Sequence, residues 1–450
     1  MTKLKSPPLV PIWQTLFSLK KFAENPIPFM TNGLLKYGDI YKVFGPRPFI
    51  LTNNADYIQH VLQKNNKNYH KSPVVKNILG AELGHGLLTI DGDYWLKQRR
   101  LIQPGFSKQR ISELIDIMIS EGEAFCRQMK EELEKHPVLD VDKSMMDITF
   151  RIVTKALFSR GIDHSLLQRV DYVITNIQKY VITQIRQPYL IPWLKITGKA
   201  NFYKSLRKEI DQIVYDIIDE RRKSEEQHND LLDMLLNAKY EDTGETMNNQ
   251  QLRDESMILI VAGHETSANA LTWALYLLAQ HPEERQKVLD EVNLVIGNQP
   301  ITYDSVLQLN YTRQVIQETM RLYPPAWLID RQALEDDELG GYLVPKGEIV
   351  LLFIYGTHRN PKYWKNPDTF DPDRFSKENL KDLPNYAYFP FGGGPRLCIG
   401  NNFAMLEMQV LLALLVKNFT FTIEPNQHIE PKPMVTLRPR NGIKMKFQIR

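Results

Sequence analysis

Cys398 lies in a glycine-rich segment whose composition favours a reactive sulfur. The segment reads Phe391-Gly392-Gly393-Gly394-Pro395-Arg396-Leu397-Cys398-Ile399-Gly400, and an apolar helix is predicted directly after it over Asn401–Lys417. Glycines let backbone amides approach the sulfur, and a helix amino terminus favours negative charge, so the segment is expected to stabilise a thiolate. No Gly-Lys-Ser/Thr follows, which excludes a phosphate loop. A metal ligand and a nucleophile remain open, the latter needing a histidine from elsewhere in the fold.

A second segment places an acid beside an alcohol in the middle of an apolar helix. The helix is predicted over Gln251–Gln280, about 45 Å long and apolar on nearly all sides, which indicates a buried central position. Its middle reads Ala262-Gly263-His264-Glu265-Thr266. In a structural interpretation, Thr266 bonds back to the carbonyl four residues earlier and Glu265 contacts an arginine. In a functional interpretation, the pair delivers solvent protons to a substrate or to bound oxygen.

The two segments resemble the cysteine-ligand loop and the oxygen-activation motif of the cytochrome P450 family. Three further motifs occur in that family's order, namely Trp95-Leu96-Lys97-Gln98-Arg99, Glu318-Thr319-Met320-Arg321 and Pro372-Asp373-Arg374-Phe375. Asp373 stands where the family usually has glutamate. The resemblance implies a mainly α fold with a small β region, in which haem lies between the long central helix and the cysteine loop.

The resemblance also implies a role for each matched residue. Cys398 would be the iron ligand, and Glu265 and Thr266 the catalytic proton donors. The haem-binding set would further comprise Trp95, Arg99, Arg331, Arg396, Phe391, Gly392, Gly400 and Ala262. Glu318 and Arg321 lie three residues apart on a predicted helix and can pair, and in the family such a pair locks with an arginine, here Arg374, to hold the cysteine loop.

The activity that the resemblance implies is monooxygenation with haem b as cofactor and O2 as co-substrate. Thiolate ligation favours O–O cleavage, and the acid–alcohol pair supplies protons. The predicted pocket stretches, which include His70–Leu88, Asp171–Trp193 and Val435, are mostly apolar or aromatic, so we expect a lipophilic substrate. Val261–Thr266 and Arg321–Trp327 look like segments of carotenoid-hydroxylating members, which favours a carotenoid or terpenoid. Fatty-acid or steroid hydroxylation is the alternative, and a non-catalytic haem-thiolate sensor or electron carrier is the alternative from another class.

The predicted partners follow from length and charge. A chain of 450 residues has no room for a fused reductase, so electrons are expected from an external ferredoxin or flavodoxin with its reductase. Basic residues that could dock such an acidic partner are Lys97, Arg99, Arg100, Lys108 and Arg110, although a solvated basic face is an equal alternative. The formal net charge of +3 argues against a nucleic-acid partner. Cys126 has no comparable neighbours and is expected to be inert.

The amino-terminal stretch is too short and too interrupted by proline to span a bilayer, which predicts a cytoplasmic protein without a transmembrane anchor. Apolar residues at helical spacing between Leu9 and Phe17 predict a helix packed on the protein's own core, with a weak peripheral membrane contact as the alternative. We expect a monomer with a single haem domain over 1–450. Its β-rich part is expected at about 30–55 and 340–355, with a hairpin formed by Ile40–Phe44 and Phe49–Thr52. Its helical part is expected at about 90–335 and 400–417, and hairpins at about 418–450, one turning at Asn441-Gly442. The charged run Arg221–Asp230 is expected to be a solvated connection.

Overall fold

The computed structural model describes residues 4–45, 47–159, 164–224, 226, 228 and 230–450, and the side chains of residues 164–168 and 171 are outside that description. Part of the charged run Arg221–Asp230 therefore lies outside the described residues, as does the side chain of Asp171 at the edge of a predicted pocket stretch.

Most of the described residues are helical, as predicted. The α-helices are α1 (Ile12–Glu24), α2 (Pro26–Tyr37), α3 (Ala55–Gln59), α4 (Gly80–Leu83), α5 (Gly92–Ile102), α6 (Lys108–Leu133), α7 (Val141–Phe158), α8 (His164–Arg186), α9 (Ile191–Ile196), α10 (Lys199–Lys223), α11 (Leu231–Asn237), α12 (Asn249–Gln280), α13 (Pro282–Val295), α14 (Tyr303–Gln308), α15 (Asn310–Leu322), α16 (Ile354–Thr357) and α17 (Asn401–Asn418).

The β structure is small. The strands are β1 (Leu9–Val10), β2 (Ile40–Val43), β3 (Phe49–Thr52), β4 (Tyr69–His70), β5 (Val138–Asp140), β6 (Ile329–Ala333), β7 (Asp337–Leu339), β8 (Tyr342–Val344), β9 (Ile349–Leu352), β10 (Phe419–Ile423), β11 (Pro431–Pro433), β12 (Leu437–Pro439) and β13 (Lys444–Ile449). The main sheet has the order β1-β2-β3-β9-β6-β4, a second has β10-β13-β5, and β11-β12 and β7-β8 form two-stranded pairs. The predicted hairpin of β2 and β3 is confirmed, with Ile40 opposite Thr52.

The long central helix, α12, begins two residues earlier than predicted because Asn248 caps it. The Asn248 side chain accepts a hydrogen bond from the Gln251 amide, and the Gln251 side chain accepts one from the Asn248 amide, each at 2.9 Å. Most of α12 is buried, and it runs against α7. Gly263 permits this contact, because a Cβ there would lie 2.6 Å from the Val153 side chain. The glycine in the middle of the helix is therefore explained by helix packing.

The charged run after α10 is not a solvated connection at its ends. Arg221 is buried and pairs with Asp230 at 2.8 Å and with Asp233 at 2.6 Å. It also donates to the Phe158 carbonyl at 2.7 Å. The run therefore fastens the end of α10 to α7 and α11, since buried charges require partners.

Two further differences from the sequence predictions concern the chain ends. Residues 30–37, expected in the β-rich part, lie in α2, which Asn25 caps through the Ile27 amide at 3.1 Å. The prediction of a hairpin that turns at Asn441-Gly442 is wrong, because β12 pairs with β11 while β13 pairs with β10 and β5. The turn instead connects two different sheets.

Helix α1 packs on the core only through Phe22, whose ring lies near those of Phe29 and Phe49, so the prediction is wrong for the apolar residues up to Phe17. None of its residues is buried, and Phe17 on its apolar side is 84% exposed. Among the described residues, no helix is long and apolar enough to cross a membrane.

Candidate active site

The cysteine loop takes its shape from two glycines in left-handed conformations. Gly392 has φ 71° and Gly394 has φ 64°. At Gly394, a Cβ would lie 1.9 Å from the Leu62 carbonyl oxygen, so only glycine fits there. Gly400, by contrast, has an ordinary φ of −91°. The loop closes with a hydrogen bond from the Cys398 amide to the Phe391 carbonyl at 3.0 Å.

Opposing effects act on the sulfur of Cys398. The thiol is enclosed by protein yet accessible, so it lies on the wall of an internal cleft. Burial raises the pKa of the Cys398 thiol, while a hydrogen bond from the Gly400 amide and the positive charge of Arg99 lower it. Burial dominates, so the loop alone does not produce the thiolate expected from the sequence. A bound metal ion would complete the deprotonation.

A cluster of cations lies beside the loop. Arg396 stacks over the Trp95 ring at 4.2 Å and donates to the Ile90 carbonyl at 3.0 Å. It also pairs with Asp91. On the other side of the loop's cysteine, Arg99 donates to the Leu397 carbonyl at 2.9 Å.

Lys71 and Arg331 complete the cluster, and their charges repel one another. Burial, followed by the charges of Arg331 and Arg396, lowers the pKa of Lys71 to about 7. Burial also lowers the pKa of Arg331, whose guanidinium donates to the Asp330 carbonyl at 2.7 Å. Three neighbouring cations, of which Arg331 is buried and Lys71 and Arg396 are partly buried, are the expected environment of an anionic group, because a nearby negative charge would relieve their mutual repulsion.

A buried ion-pair network orders the segment that precedes the cysteine loop. Glu318 and Arg321 are fully buried and form a bidentate pair at 2.6 and 2.8 Å. Arg374 lies 3.4 Å from Glu318. Arg321 also donates to the carbonyls of His358, Pro367 and Thr369. One arginine thus orders much of the segment between α16 and the loop.

The acid and the alcohol of α12 are in different environments. Thr266 is half-exposed and donates to the Ala262 carbonyl at 2.7 Å. Ala262 is exposed although its helix is buried, so α12 faces the internal cleft at this turn. Thr266 therefore makes the back-bond of the structural interpretation and also lies on the wall of the cleft.

Glu265 is buried and held by three side chains. Thr436 donates to its Oε1 atom at 2.7 Å, Gln178 of α8 donates to its Oε2 atom, and Arg438 lies 3.9 Å from Oε1. Asn269 in turn donates to Thr436 at 2.9 Å. The arginine contact of the structural interpretation is thus present at long range, and the carboxylate is tied to two other elements.

A narrow apolar cavity lies between α8, α12 and the chain around α4. It is lined by Leu79, Leu83, Ile174, Ile177, Gln178, Val181, Met257, Val261 and Val435. All of these residues except Met257 and Val261 fall in the pocket stretches expected from the sequence. Gln178 is the polar residue of the lining, and it is also the residue that donates to Glu265. A larger open groove of about 610 Å³, between α5 and residues 233–242, lies away from Cys398 and Thr266.

The comparisons with known proteins agree with this geometry. The cytochrome P450 family model matches residues 4–447. Cyclooctatin synthase of Streptomyces melanosporofaciens is 34% identical over 418 residues, which cover 92% of this chain and 90% of that protein. Protein LUTEIN DEFICIENT 5, chloroplastic, of Arabidopsis thaliana is 29% identical, covering 91% and 72%, and human cytochrome P450 3A7 is 30% identical, covering 88% and 84%. The chain belongs to the cytochrome P450 family.

Membership makes the chain a monooxygenase with haem b and O2, which sets aside the non-catalytic sensor. Cytochromes P450 bind lipophilic substrates and take electrons from redox partners. The residues present fit haem, because the accessible Cys398 sulfur could ligate its iron and the cations of Lys71, Arg331 and Arg396 suit its two propionates.

Several residues near the site were missed by sequence reasoning. Lys71 and Asp91 join the cation cluster, and Gln178 and Thr436 hold Glu265. None of the four stands in a recognisable motif, and each comes from a segment distant in sequence from its partner. Their only signal is three-dimensional proximity.

Proposed function

We propose that this cytochrome P450 hydroxylates a neutral lipophilic substrate of the terpenoid class, with a carotenoid favoured. The apolar cavity between α8, α12 and the chain around α4 supports this proposal, because apolar side chains make up nearly all of its lining. The names of two relatives, cyclooctatin synthase and LUTEIN DEFICIENT 5, refer to terpenoid and carotenoid compounds, respectively.

The cavity favours a neutral substrate over a fatty acid. No charged side chain belongs to its lining among the described residues, so a carboxylate would find no cation there. A steroid is compatible with the same lining. The cavity volume is only about 20 Å³, so binding a ligand of any of these classes would require the cavity to widen.

The side chains around the cleft divide the work of the reaction. When bound, haem supplies the iron centre at which O2 is activated. We assign Cys398 as the residue that would ligate its iron. The cation cluster with Trp95 and Arg99 would bind its propionates, and Ala262, Phe391, Gly392 and Gly400 would be its neighbours. Glu318, Arg321 and Arg374 would hold the loop in place.

Proton delivery is assigned to Thr266 and Glu265. The Thr266 hydroxyl holds a proton at the cleft wall and must release the Ala262 carbonyl to donate it elsewhere. Glu265 can resupply that proton only after its carboxyl group breaks the hydrogen bond from Thr436 or the one from Gln178. Because Gln178 also lines the cavity, entry of a substrate would disturb this hydrogen bond.

Replacing Thr266 with Ala tests the proton assignment. The hydroxyl is lost while the helix is retained. Electron consumption should therefore continue, while the amount of product formed per electron falls by roughly tenfold or more. Thr272→Ala is the matched control, because it removes a buried hydroxyl from the same helix. Full coupling in the Thr266 variant would contradict the assignment.

Substrate class is tested by optical titration of the holoprotein with carotenoids, cyclic terpenoids, steroids and fatty acids. The proposal predicts type I spectral shifts with terpenoids or carotenoids and weaker shifts with fatty acids. A fatty acid that binds more tightly than every neutral ligand would overturn the proposed class.

Electrons would come from a separate ferredoxin or flavodoxin and its reductase, docked at the basic surface near α5. Of the predicted cations, Lys97 pairs with Asp242 and Arg110 with Glu113, and Arg99 bonds to the cysteine loop. Arg100 and Lys108 are exposed and best placed for docking. We further propose a cytoplasmic monomer with a single haem domain over 1–450.

A further inference from the structure

Three consecutive charged residues of α12 are buried far from the reacting groups assigned above. Arg253, Asp254 and Glu255 are 2%, 3% and 1% exposed, and they precede Ala262 by about two helical turns. Charged side chains are buried at a cost unless they find partners. The partners of these three residues therefore indicate what the residues do.

All three side chains bind the backbone of the chain that leads from α4 toward α5. The bonds run from Arg253 to the Leu83 carbonyl at 3.0 Å, from the His85 amide to Asp254 at 2.8 Å, and from the Leu87 amide to Glu255 at 3.1 Å. We call these three bonds the clasp. Because each of them ends on a main-chain group, the clasp fixes the path of the backbone over residues 83–87.

Two glycines let this backbone lie directly on the two acids. A Cβ at Gly84 would lie 2.2 Å from the Asp254 side chain, and a Cβ at Gly86 would lie 2.7 Å from the Oε2 atom of Glu255. Gly84 has a left-handed φ of 97°, whereas the φ of Gly86 is outside the left-handed region. The approach to Glu255, and not the local conformation, therefore explains the glycine at position 86.

The clasp holds one wall of the apolar cavity. Leu83, whose carbonyl the clasp binds, lines the cavity together with Leu79. Met257 and Val261 line it from α12. Since Met257 follows Glu255 by two residues, one turn of α12 supplies both the clasp and the facing wall. The bonds of the clasp therefore set the distance between these two walls.

The wall that α8 contributes is attached to α12 more loosely. Of its cavity residues, Gln178 bonds to α12 by donating to Glu265, and Ile174, Ile177 and Val181 are apolar. Apolar contacts are non-directional, so they survive a shift that would break directional bonds to charged groups. We therefore expect α8 to yield when the cavity widens, while Leu83 stays in place.

We propose that Arg253, Asp254 and Glu255 are positioning residues for the reaction, which fix the wall around Leu83 and so limit the width of ligand that the cavity accepts. The inference rests on the proposed function, because it takes this cavity as the substrate pocket. It goes further in assigning a role to three residues that lie outside every motif of the site.

Optical titration of the holoprotein with two azoles tests the limit on width. Imidazole is small and 1-tritylimidazole is bulky, and both bind haem iron through a ring nitrogen. Glu255→Leu removes the acceptor of the Leu87 amide at similar volume, so the ratio of the two dissociation constants should change by roughly threefold or more in favour of 1-tritylimidazole. Gly86→Ala, whose methyl group would push the backbone off Glu255, should change the ratio in the same direction.

Two variants serve as matched controls. Burial raises the pKa of Glu255 to about 8, so its carboxyl group is largely protonated at neutral pH. Glu255→Gln is therefore close in charge and shape and keeps an accepting oxygen. Ser256→Ala removes a buried hydroxyl from the next residue of the helix. Both variants should keep the wild-type ratio.

Hydrogen exchange of the amides of residues 84–88, followed by mass spectrometry, measures the clasp itself. Exchange should be roughly tenfold faster in Glu255→Leu and Gly86→Ala than in wild type and both controls. Faster exchange with an unchanged azole ratio would overturn the proposal, because the clasp would then be structural only. Wild-type exchange and ratio in both variants would also overturn it, as would a Glu255→Gln variant that shifts the ratio as far as Glu255→Leu. The azoles do not report on terpenoid preference, so a failure here is distinguishable from a failure of the proposed substrate class.

Discussion

At the scale of single residues, the most informative side chain is Lys71, which belongs to no sequence motif. Lys71 is partly buried near Arg331 and Arg396, and desolvation together with these two positive charges lowers its pKa. The arginines of this cluster were expected from family motifs. Lys71 was not, because its position depends on how β4 lies against β6, and no local pattern reports such a long-range pairing.

Replacing Lys71 with Met should speed the loss of haem from the holoprotein by roughly tenfold, because one cation of the propionate clamp is removed and the aliphatic stem is retained. The rate is measured by transfer of haem to apomyoglobin. Lys67→Met, on the exposed turn just before, should leave the rate unchanged. Equal rates in both variants would remove Lys71 from the clamp.

Glu407 in α17 is a second residue outside every motif. It is fully buried, and no hydrogen bond of good geometry satisfies either carboxyl oxygen. Burial raises the pKa of its carboxyl to about 8, with the Ser267 hydroxyl acting in the opposite direction. The folded state therefore holds this proton more tightly than the unfolded chain, whose carboxyl has a pKa of about 4.5.

The sign of the pH dependence follows from that difference. The stabilisation is complete below about pH 4.5 and is lost as the pH rises toward about 8. Between about pH 6 and pH 8, wild type should lose about 2 kcal/mol of unfolding free energy more than Glu407→Gln. Denaturant unfolding at several pH values measures this, with Glu283→Gln on exposed α13 as control. Parallel curves for wild type and Glu407→Gln would refute the raised pKa.

At the scale of elements, the cysteine loop shows how backbone geometry and a remote ion pair act together. Gly392 and Gly394 permit left-handed turns, and Gly394 lies against the Leu62 carbonyl. Arg321, paired with Glu318, fixes the preceding segment by donating to its His358 and Pro367 carbonyls, and Glu318 accepts a hydrogen bond from the Asp371 amide.

Gly394→Ala should therefore be damaging. The new methyl group would overlap the Leu62 oxygen in a backbone region that alanine avoids, so we expect a loss of about 2 kcal/mol or more and poor haem retention. Thermal unfolding and the ratio of haem to protein are the measurements. Gly45→Ala, which has open space and an ordinary φ, is the control. A Gly394 variant with wild-type haem content and stability would show that the loop tolerates another shape.

Elements with strong local signals were predictable from the sequence. The central helix, the α17 helix and the β2–β3 hairpin carry caps, apolar runs or turn residues, and their boundaries came within a few residues. The orientation of α1 was not predictable, because an amphipathic pattern gives a helix two faces without saying which one meets the protein. The Asn441-Gly442 turn failed for a related reason: a turn signal does not say whether the flanking strands pair.

At the scale of the whole molecule, the fold brings together residues from distant parts of the chain. Arg99 and Trp95 of α5 contact Leu397 and Arg396 of the cysteine loop, and Arg331 of β6 lies near Arg396. We assign Thr266 of α12 to the same site. Their spacing along the chain could be matched to family motifs. Their tethering by Asp91, Gln178 and Thr436 became visible only in three dimensions.

The central claim is that Cys398 is the thiolate ligand of haem. Carbon monoxide added to the reduced holoprotein measures this most directly, because a thiolate opposite carbon monoxide gives a Soret band shifted to longer wavelength than a histidine ligand does. The account predicts that band in wild type and in Cys126→Ala, because the Cys126 thiol is buried and burial raises its pKa. It also predicts that Cys398→Ala lacks the band. The shifted band in Cys398→Ala, or its absence from wild type, would contradict the account.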